Sequence, residues 1–249
     1  GLSTEWGTSR HGPAIVVKMQ ESVASMSAMT SFGGSVTLFG GLLWLCERWV
    51  HRYCECNATR WTGVEDAASQ RVEITFSLLN FCHAVLSSLL SSWALFVWGA
   101  WEWRDVATAG QGVKWLPPLV CFTLGYMAVE MTYLILSPAR SQFMEFLGFH
   151  ACIFAGLASF VLTDQGGLVA LWGIWGEVTA ALMGLESFVE HFVHWGDSST
   201  PGRGYFGLCL VSSVCFVIQR PILISALLVI TIQQFAWSTT FVVQTFLLA

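Results

Sequence analysis

The chain has 249 residues, of which 55% are hydrophobic and only 11% charged, the profile of a protein dissolved in lipid rather than in water. Its formal net charge of −5 leaves no basic face to neutralise phosphates, which excludes a nucleic-acid partner. Uncharged runs of helix length, where a membrane β-barrel would show short alternating segments, exclude that fold as well.

The expected fold class is therefore all-α, a polytopic membrane helix bundle of about six to seven transmembrane helices. Residues 1–22 are polar and read as an N-terminal arm, and 23–249 as one transmembrane helical domain. A helix crosses the hydrocarbon core with about 20 apolar residues, and the runs 23–46 and 74–101, the second interrupted only by His83, meet that length. The run 115–136 contains Glu130, 143–162 surrounds His150, and 168–189 holds Glu177 and Glu186. From 204 to 249 the only charge is Arg220, followed at once by Pro221. That stretch is too long for one crossing, so a sixth span with a kink or break at Pro221, or near Gln233 and Gln234, is expected. Short connections, such as 137–142 with Pro138 and the turn Asp164-Gln165-Gly166-Gly167, predict that sequential helices lie as antiparallel neighbours. The distribution of Lys and Arg places the 47–73 loop on the inner side.

Trp44, Trp49, Trp101, Trp103, Trp115 and Trp195 fall near predicted span ends, as an interfacial belt requires. Trp172 and Trp175 lie deeper and read as helix contacts or ligand walls. Ser87, Ser88, Ser91 and Ser92 in the second span, and Gly33, Gly34, Gly40 and Gly41 in the first, allow close backbone approach. Six of the eight cysteines lie in or beside apolar runs, where Cys packs as a small hydrophobe. His51, Cys54 and Cys56 lack a second ligand pair at zinc spacing, so no metal site is read. Glu186, Glu190 and His194 share one helix face, with His191 about 100° from Glu190. They match neither a carboxylate-bridged di-iron pattern nor repeated histidine boxes, and read as a solvated helix end. In the alternative, His191 or His194 would be an axial ligand to a pigment or haem.

The ionisable residues inside the apolar runs are His83, Glu130, Glu145, His150, Glu177, Glu186 and Arg220. Each costs about 2.5–3.5 kcal/mol at membrane depth and so faces a partner in the bundle interior. Arg220 is expected to meet Glu130 or Glu177, or to reach the interface.

These positions fall in segments that carry a resemblance. RVEITFSLLNFCHAVLSSLL (71–90) places His83 before Ala84. GYMAVEMTYLIL (125–136) carries Glu130. FLGFHACIFAG (146–156), GIWGEVTAALMGLESF (173–188) and CFVIQRPILI (215–224) follow with His150, Glu177 and Arg220. In order and spacing this set, across about 71–230, resembles the TLC-domain family of membrane proteins, which includes ceramide synthases and translocating-chain-associating membrane proteins. The resemblance implies a bundle around a lipid-accessible chamber lined by His83, Glu130, His150, Glu177 and Arg220. The family's paired histidines are reduced here to Phe149 and His150, and its Asp is Glu130.

The resulting expectation is a non-catalytic integral membrane protein that binds lipid in or around the bundle, in lipid sensing, transport or membrane composition. Bound lipid is its expected ligand; no cofactor is predicted, with a pigment as the alternative. The first alternative is an accessory structural subunit of a larger respiratory or photosynthetic membrane complex, with other membrane-protein subunits as partners. The second is an active acyltransferase using His150 and Glu130. Endomembrane, mitochondrial inner membrane and thylakoid are all compatible with the composition.

Overall fold

The computed structural model describes the backbone of residues 12–56, 67–100, 113–137, 143–192, 202–226 and 229. Side chains are described from Met26 onward, except those of 67, 70, 190–192, 220, 223 and 224. Every long element among these residues is a helix: α1 Gly12–Cys56, α2 Ala67–Ser92, α3 Leu116–Leu136, α4 Met144–Thr163, α5 Gly167–Trp175, α6 Glu177–Phe192 and α7 Arg203–Val217. Among the described residues, five stretches are long and apolar enough to cross a membrane: Met26–Cys56, Arg71–Val97, Leu116–Leu136, Met144–Thr163 and Gly167–Val189. The helix α1 begins at Gly12, so it takes in the second half of the stretch read as an arm.

The ends of these helices follow from local chemistry. The first turn of α3 carries Pro117 and Pro118, where a missing N–H costs no helix bond. Asp164 closes α4 in the left-handed region, φ 53°, with its N–H on the Phe160 carbonyl at 2.7 Å. Gly166, at φ 77°, then turns the chain into α5, a backbone angle that glycine reaches without strain. The irregularity expected at Pro221 takes the form of a wider, π-helical turn, Ile218–Ile224, continuing from α7. Gln233 and Gln234, Trp101, Trp103, Trp195, Pro138 and His194 lie outside the described residues.

Two close contacts set the packing. Ser31 donates to the Pro118 carbonyl at 2.7 Å and Ser35 to the Phe122 carbonyl at 2.5 Å, a constant offset of 87 residues, so α1 and α3 run parallel. A Cβ on Gly125 would lie 2.6 Å from Ser35 Cβ and 2.9 Å from the Phe32 carbonyl, which makes glycine the residue that lets these backbones meet. Similarly, a Cβ on Gly184 would lie 3.0 Å from Phe81 Cβ, bringing α6 against α2. Trp175 Nε1 donates to Ser92 Oγ at 3.0 Å, so α5 and α6 run antiparallel to α2.

The helices form a row, α6, α2, α3, α4, with α1 laid across α3 and α2, and α5 across α2 and α3. After the turn at Asp164 the chain therefore crosses to α2 instead of returning along α4. The expectation that short loops make sequential helices neighbours holds for α1 with α2, α2 with α3, α3 with α4 and α6 with α7, and is corrected only for α4 and the span that follows it. The Gly184–Phe81 contact and the polar groups described below hold α6 to α2 in preference to α4. The apolar core, with Phe39, Leu79, Leu116, Phe160, Leu171 and Ile174, fills the space between α1, α2, α3, α4 and α5.

The helix expected over 168–189 forms with an interruption at one residue, whose own backbone stays right-handed helical (φ −52°, ψ −24°). Gly176 separates α5 from α6, and a Cβ there would sit 2.6 Å from the Gly173 carbonyl. Thr179 N–H bonds the Gly176 carbonyl at 3.2 Å, although a regular helix would send it to Trp175. Gln219 supplies the missing donor, its Nε2 lying 3.0 Å from the Trp175 carbonyl. A side chain from one irregular segment thus satisfies the backbone of another, as burial requires.

Candidate functional site

Between α6 and α4, four helices contribute polar side chains to one line across the bundle. At one end, Glu177 begins α6, and its Oε2 lies 3.9 Å from His83 Nδ1 on α2. The His83 ring is fully buried and stacks on Tyr126 of α3 with centroids 3.7 Å apart and planes within 5°. Phe39 meets the imidazole edge-on at 5.6 Å. One turn along α2, Ser87 Oγ lies 2.8 Å from His83 Nε2.

From Tyr126 the line continues along α3. Its hydroxyl donates to Glu130 Oε1, one helical turn away, and Asn80 Oδ1 stands 3.2 Å off as a further acceptor. Glu130 is fully buried, and its Oε2 lies 3.5 Å from His150 Nδ1 on α4. Phe146 packs against the His150 ring with centroids 3.8 Å apart. The line thus holds two His–carboxylate pairs, each joining a fully buried member to a partly exposed one. Exposure of the side chains is 0% and 25% for His83 and Glu177, and 0% and 14% for Glu130 and His150.

The structure brings together four of the five residues expected to line a chamber, namely His83, Glu130, His150 and Glu177. The Arg220 side chain lies outside the described residues, so its expected pairing with Glu130 or Glu177 does too. Glu145 is exposed at the start of α4 and stands apart from the line. Glu186 is half-buried on α6, with no hydrogen bond to its Oε1 among the described residues. The side chains of Glu190 and His191 are likewise outside the described residues. Trp172 and Trp175 pack edge to face at 5.3 Å and serve as helix contacts. His51 is engaged by Glu55 at 3.1 Å and by Arg71 at 3.3 Å. Among the described residues no three His, Cys, Asp or Glu side chains converge as metal ligands.

Three participants were not singled out by the sequence. Tyr126 stands four residues before Glu130 in GYMAVE, and that helical spacing is the signal that pairs them. Ser87, four after His83, reads from sequence as a packing serine. Asn80 is a polar residue one turn before His83, inside the same apolar run.

Chemically, the α3–α4 end is a hydroxyl, a carboxylate and an imidazole in sequence. A carboxylate at one ring nitrogen sets the tautomer and orientation of a histidine. The α2–α6 end is a carboxylate facing an imidazole whose Nδ1 makes no hydrogen bond among the described residues. No family model matches the chain, and neither a curated protein nor a solved structure matches it.

Proposed function

We propose that this is an integral membrane protein, TLC-like in architecture, that holds a lipid or related amphiphile by its polar group against the polar line of the bundle. The observation that carries this reading is the pairing of buried with partly exposed members at both ends. Well-packed apolar residues stabilise a bundle at least as well as buried ion pairs do. In an apolar surrounding, ionisable groups away from the span ends therefore mark sites of function. Glu177 and His150 give each pair an edge that an amphiphile can reach sideways from the membrane. The large apolar side chains exposed on the outer surface, among them Trp93, Phe96, Leu162, Phe206 and Ile222, support immersion in lipid. Support for the TLC-like reading comes from residues in four of its five segments meeting in one line.

Native mass spectrometry of the protein, extracted gently from its source membrane, tests this function. The expected result is one tightly held lipid, released by His150→Ala or Glu177→Ala. Lipid retention that is indifferent to both variants would overturn it.

A second reading, an accessory subunit of a larger membrane complex, is favoured by the outer face of α1. There Gly33, Gly34, Gly40 and Gly41 have no atom within 4 Å of a Cβ position. Release with a stoichiometric set of other subunits in the same experiment would establish it.

A further inference from the structure

Both ends of the polar line keep unused capacity: at the α3–α4 end Glu130 Oε2 is buried and makes no hydrogen bond among the described residues, at 3.5 Å from His150 Nδ1, while the wider gap lies at the other end. At the α2–α6 end three polar atoms are buried and make no hydrogen bond among the described residues: His83 Nδ1, Ser88 Oγ and Gln219 Oε1. His83 is 0% and Gln219 4% exposed. Buried polar atoms are nearly always satisfied in native proteins, so an atom with unused capacity points to a group that joins it.

Their placement around Glu177 follows from the packing. His83 Nδ1 faces Glu177 Oε2 across 3.9 Å. Ser88 lies on the α2 face that meets α5 and α6, between Phe81, which packs on Gly184, and Ser92, which takes the Trp175 indole. Gln219 Nε2 holds the Trp175 carbonyl and lies 3.6 Å from a Cβ position on Gly176, the residue before Glu177. The Gln219 amide thus lies at the turn that begins α6, and the carboxylate facing the His83 imidazole there is Glu177, the partly exposed member of the pair.

The separation and the donor pattern select the ligand chemistry. Facing a carboxylate, Nδ1 is the ring nitrogen that carries the hydrogen of a neutral His83, which leaves Nε2 to accept from the Ser87 hydroxyl 2.8 Å away. A gap of 3.9 Å is too long for a direct bond, but one oxygen at about 2.8 Å from each atom bridges it. That oxygen must accept from Nδ1–H and donate to the carboxylate. A hydroxyl does both. A second carboxylate would be repelled by Glu177 and has no hydrogen to give, and an ether oxygen has none either.

We infer that the α2–α6 edge binds the hydroxyl group of an uncharged, long-chain membrane amphiphile, bridging His83 Nδ1 and Glu177. This rests on the lipid-holding function proposed above and narrows its ligand to a class and an edge. Water could supply the same hydroxyl chemistry, and the experiment separates the two sources.

The test uses the full chain reconstituted in lipid nanodiscs, with a diazirine-bearing long-chain alcohol and its methyl ether as photolabels, and mass spectrometry to map the labelled peptides. The expected outcome is saturable labelling of α2 and α6 by the alcohol, with the ether binding about tenfold more weakly, as for loss of a hydrogen bond to a charged group. Glu177→Gln and Glu177→Ala, at a side chain that is 25% exposed, should each weaken the alcohol severalfold without changing the ether. Equal labelling by both probes, as expected if water alone occupies the gap, would overturn the inference and leave the lipid-holding function standing. So would alcohol labelling confined to α3 and α4. No saturable labelling by either probe would overturn that function together with this refinement.

Discussion

The contact between α1 and α3 and the contact between α2 and α6 are built on the same device and differ in what they leave undone. Each brings two helices together over a glycine, Gly125 against Ser35 and Gly184 against Phe81. In the first, the hydroxyls that face the partner helix end on its carbonyls, Ser31 on Pro118 and Ser35 on Phe122. In the second, one helix is interrupted at Gly176, and His83, Ser88 and Gln219 all keep polar atoms with unused capacity. A contact that only holds the fold closes its hydrogen bonds, because an open polar group in an apolar surrounding costs more than the bond is worth. On the function proposed above, the open α2–α6 contact carries a demand beyond packing.

The sharpest way to break the first contact is Gly125→Leu. The new Cβ alone would stand 2.6 Å from Ser35 Cβ and 2.9 Å from a backbone oxygen, so α1 and α3 must separate rather than rearrange a flexible tip. The expected cost is about 3 kcal/mol, read as a large fall in the thermal unfolding midpoint in detergent. A midpoint equal to that of the parent would show that α1 does not pack on α3 in this register.

At the second contact the corresponding substitution is Gln219→Leu, similar in bulk but without a donor for the Trp175 carbonyl now held at 3.0 Å. An acceptor left open in an apolar surrounding should cost about 2 kcal/mol. The loss should be local, as faster amide hydrogen exchange at Gly176 to Thr179, with α1 and α3 unaffected. Exchange that rises equally across all helices would contradict a dedicated clamp at the interruption.

The helix-length apolar runs were legible because hydropathy and length report them directly. His83, Glu130, His150 and Glu177 stood out as well, being ionisable residues within those runs. Their pairing was not legible, since it depends on the registers between α2, α6, α3 and α4, and those registers rest on Ser31, Ser35, Gly125 and Gly184, which read only as generic small residues. The interruption at Gly176 was hidden for a related reason: in GIWGE the glycine is as compatible with a continuous helix as with an interrupted one. What decides it is Gln219, more than forty residues further on, whose amide makes the interruption tolerable. Loop length misled for α4 and α5, because a short turn constrains where a helix starts and not which helix it packs on.

The smallest expected effect belongs to the outer face of α1, and it extends the comparison to a surface with no partner inside the chain. Gly41 is exposed and has open space around its Cβ position, so Gly41→Ala should leave the isolated chain within about 0.5 kcal/mol of the parent, or slightly more stable through helix propensity. The same holds for Gly33, whose carbonyl already accepts from Thr37 at 2.9 Å. If the chain acts alone, the bulkier Gly41→Leu should be equally silent, because hydrocarbon accommodates a leucine as readily as a glycine. If α1 docks on another subunit, Gly41→Leu should leave the melting of the isolated chain unchanged and yet abolish co-purification, since close helix contacts in membranes depend on small residues. A glycine face that is silent in both measurements would remove the main support for the subunit reading and leave the polar line as the chief carrier of function.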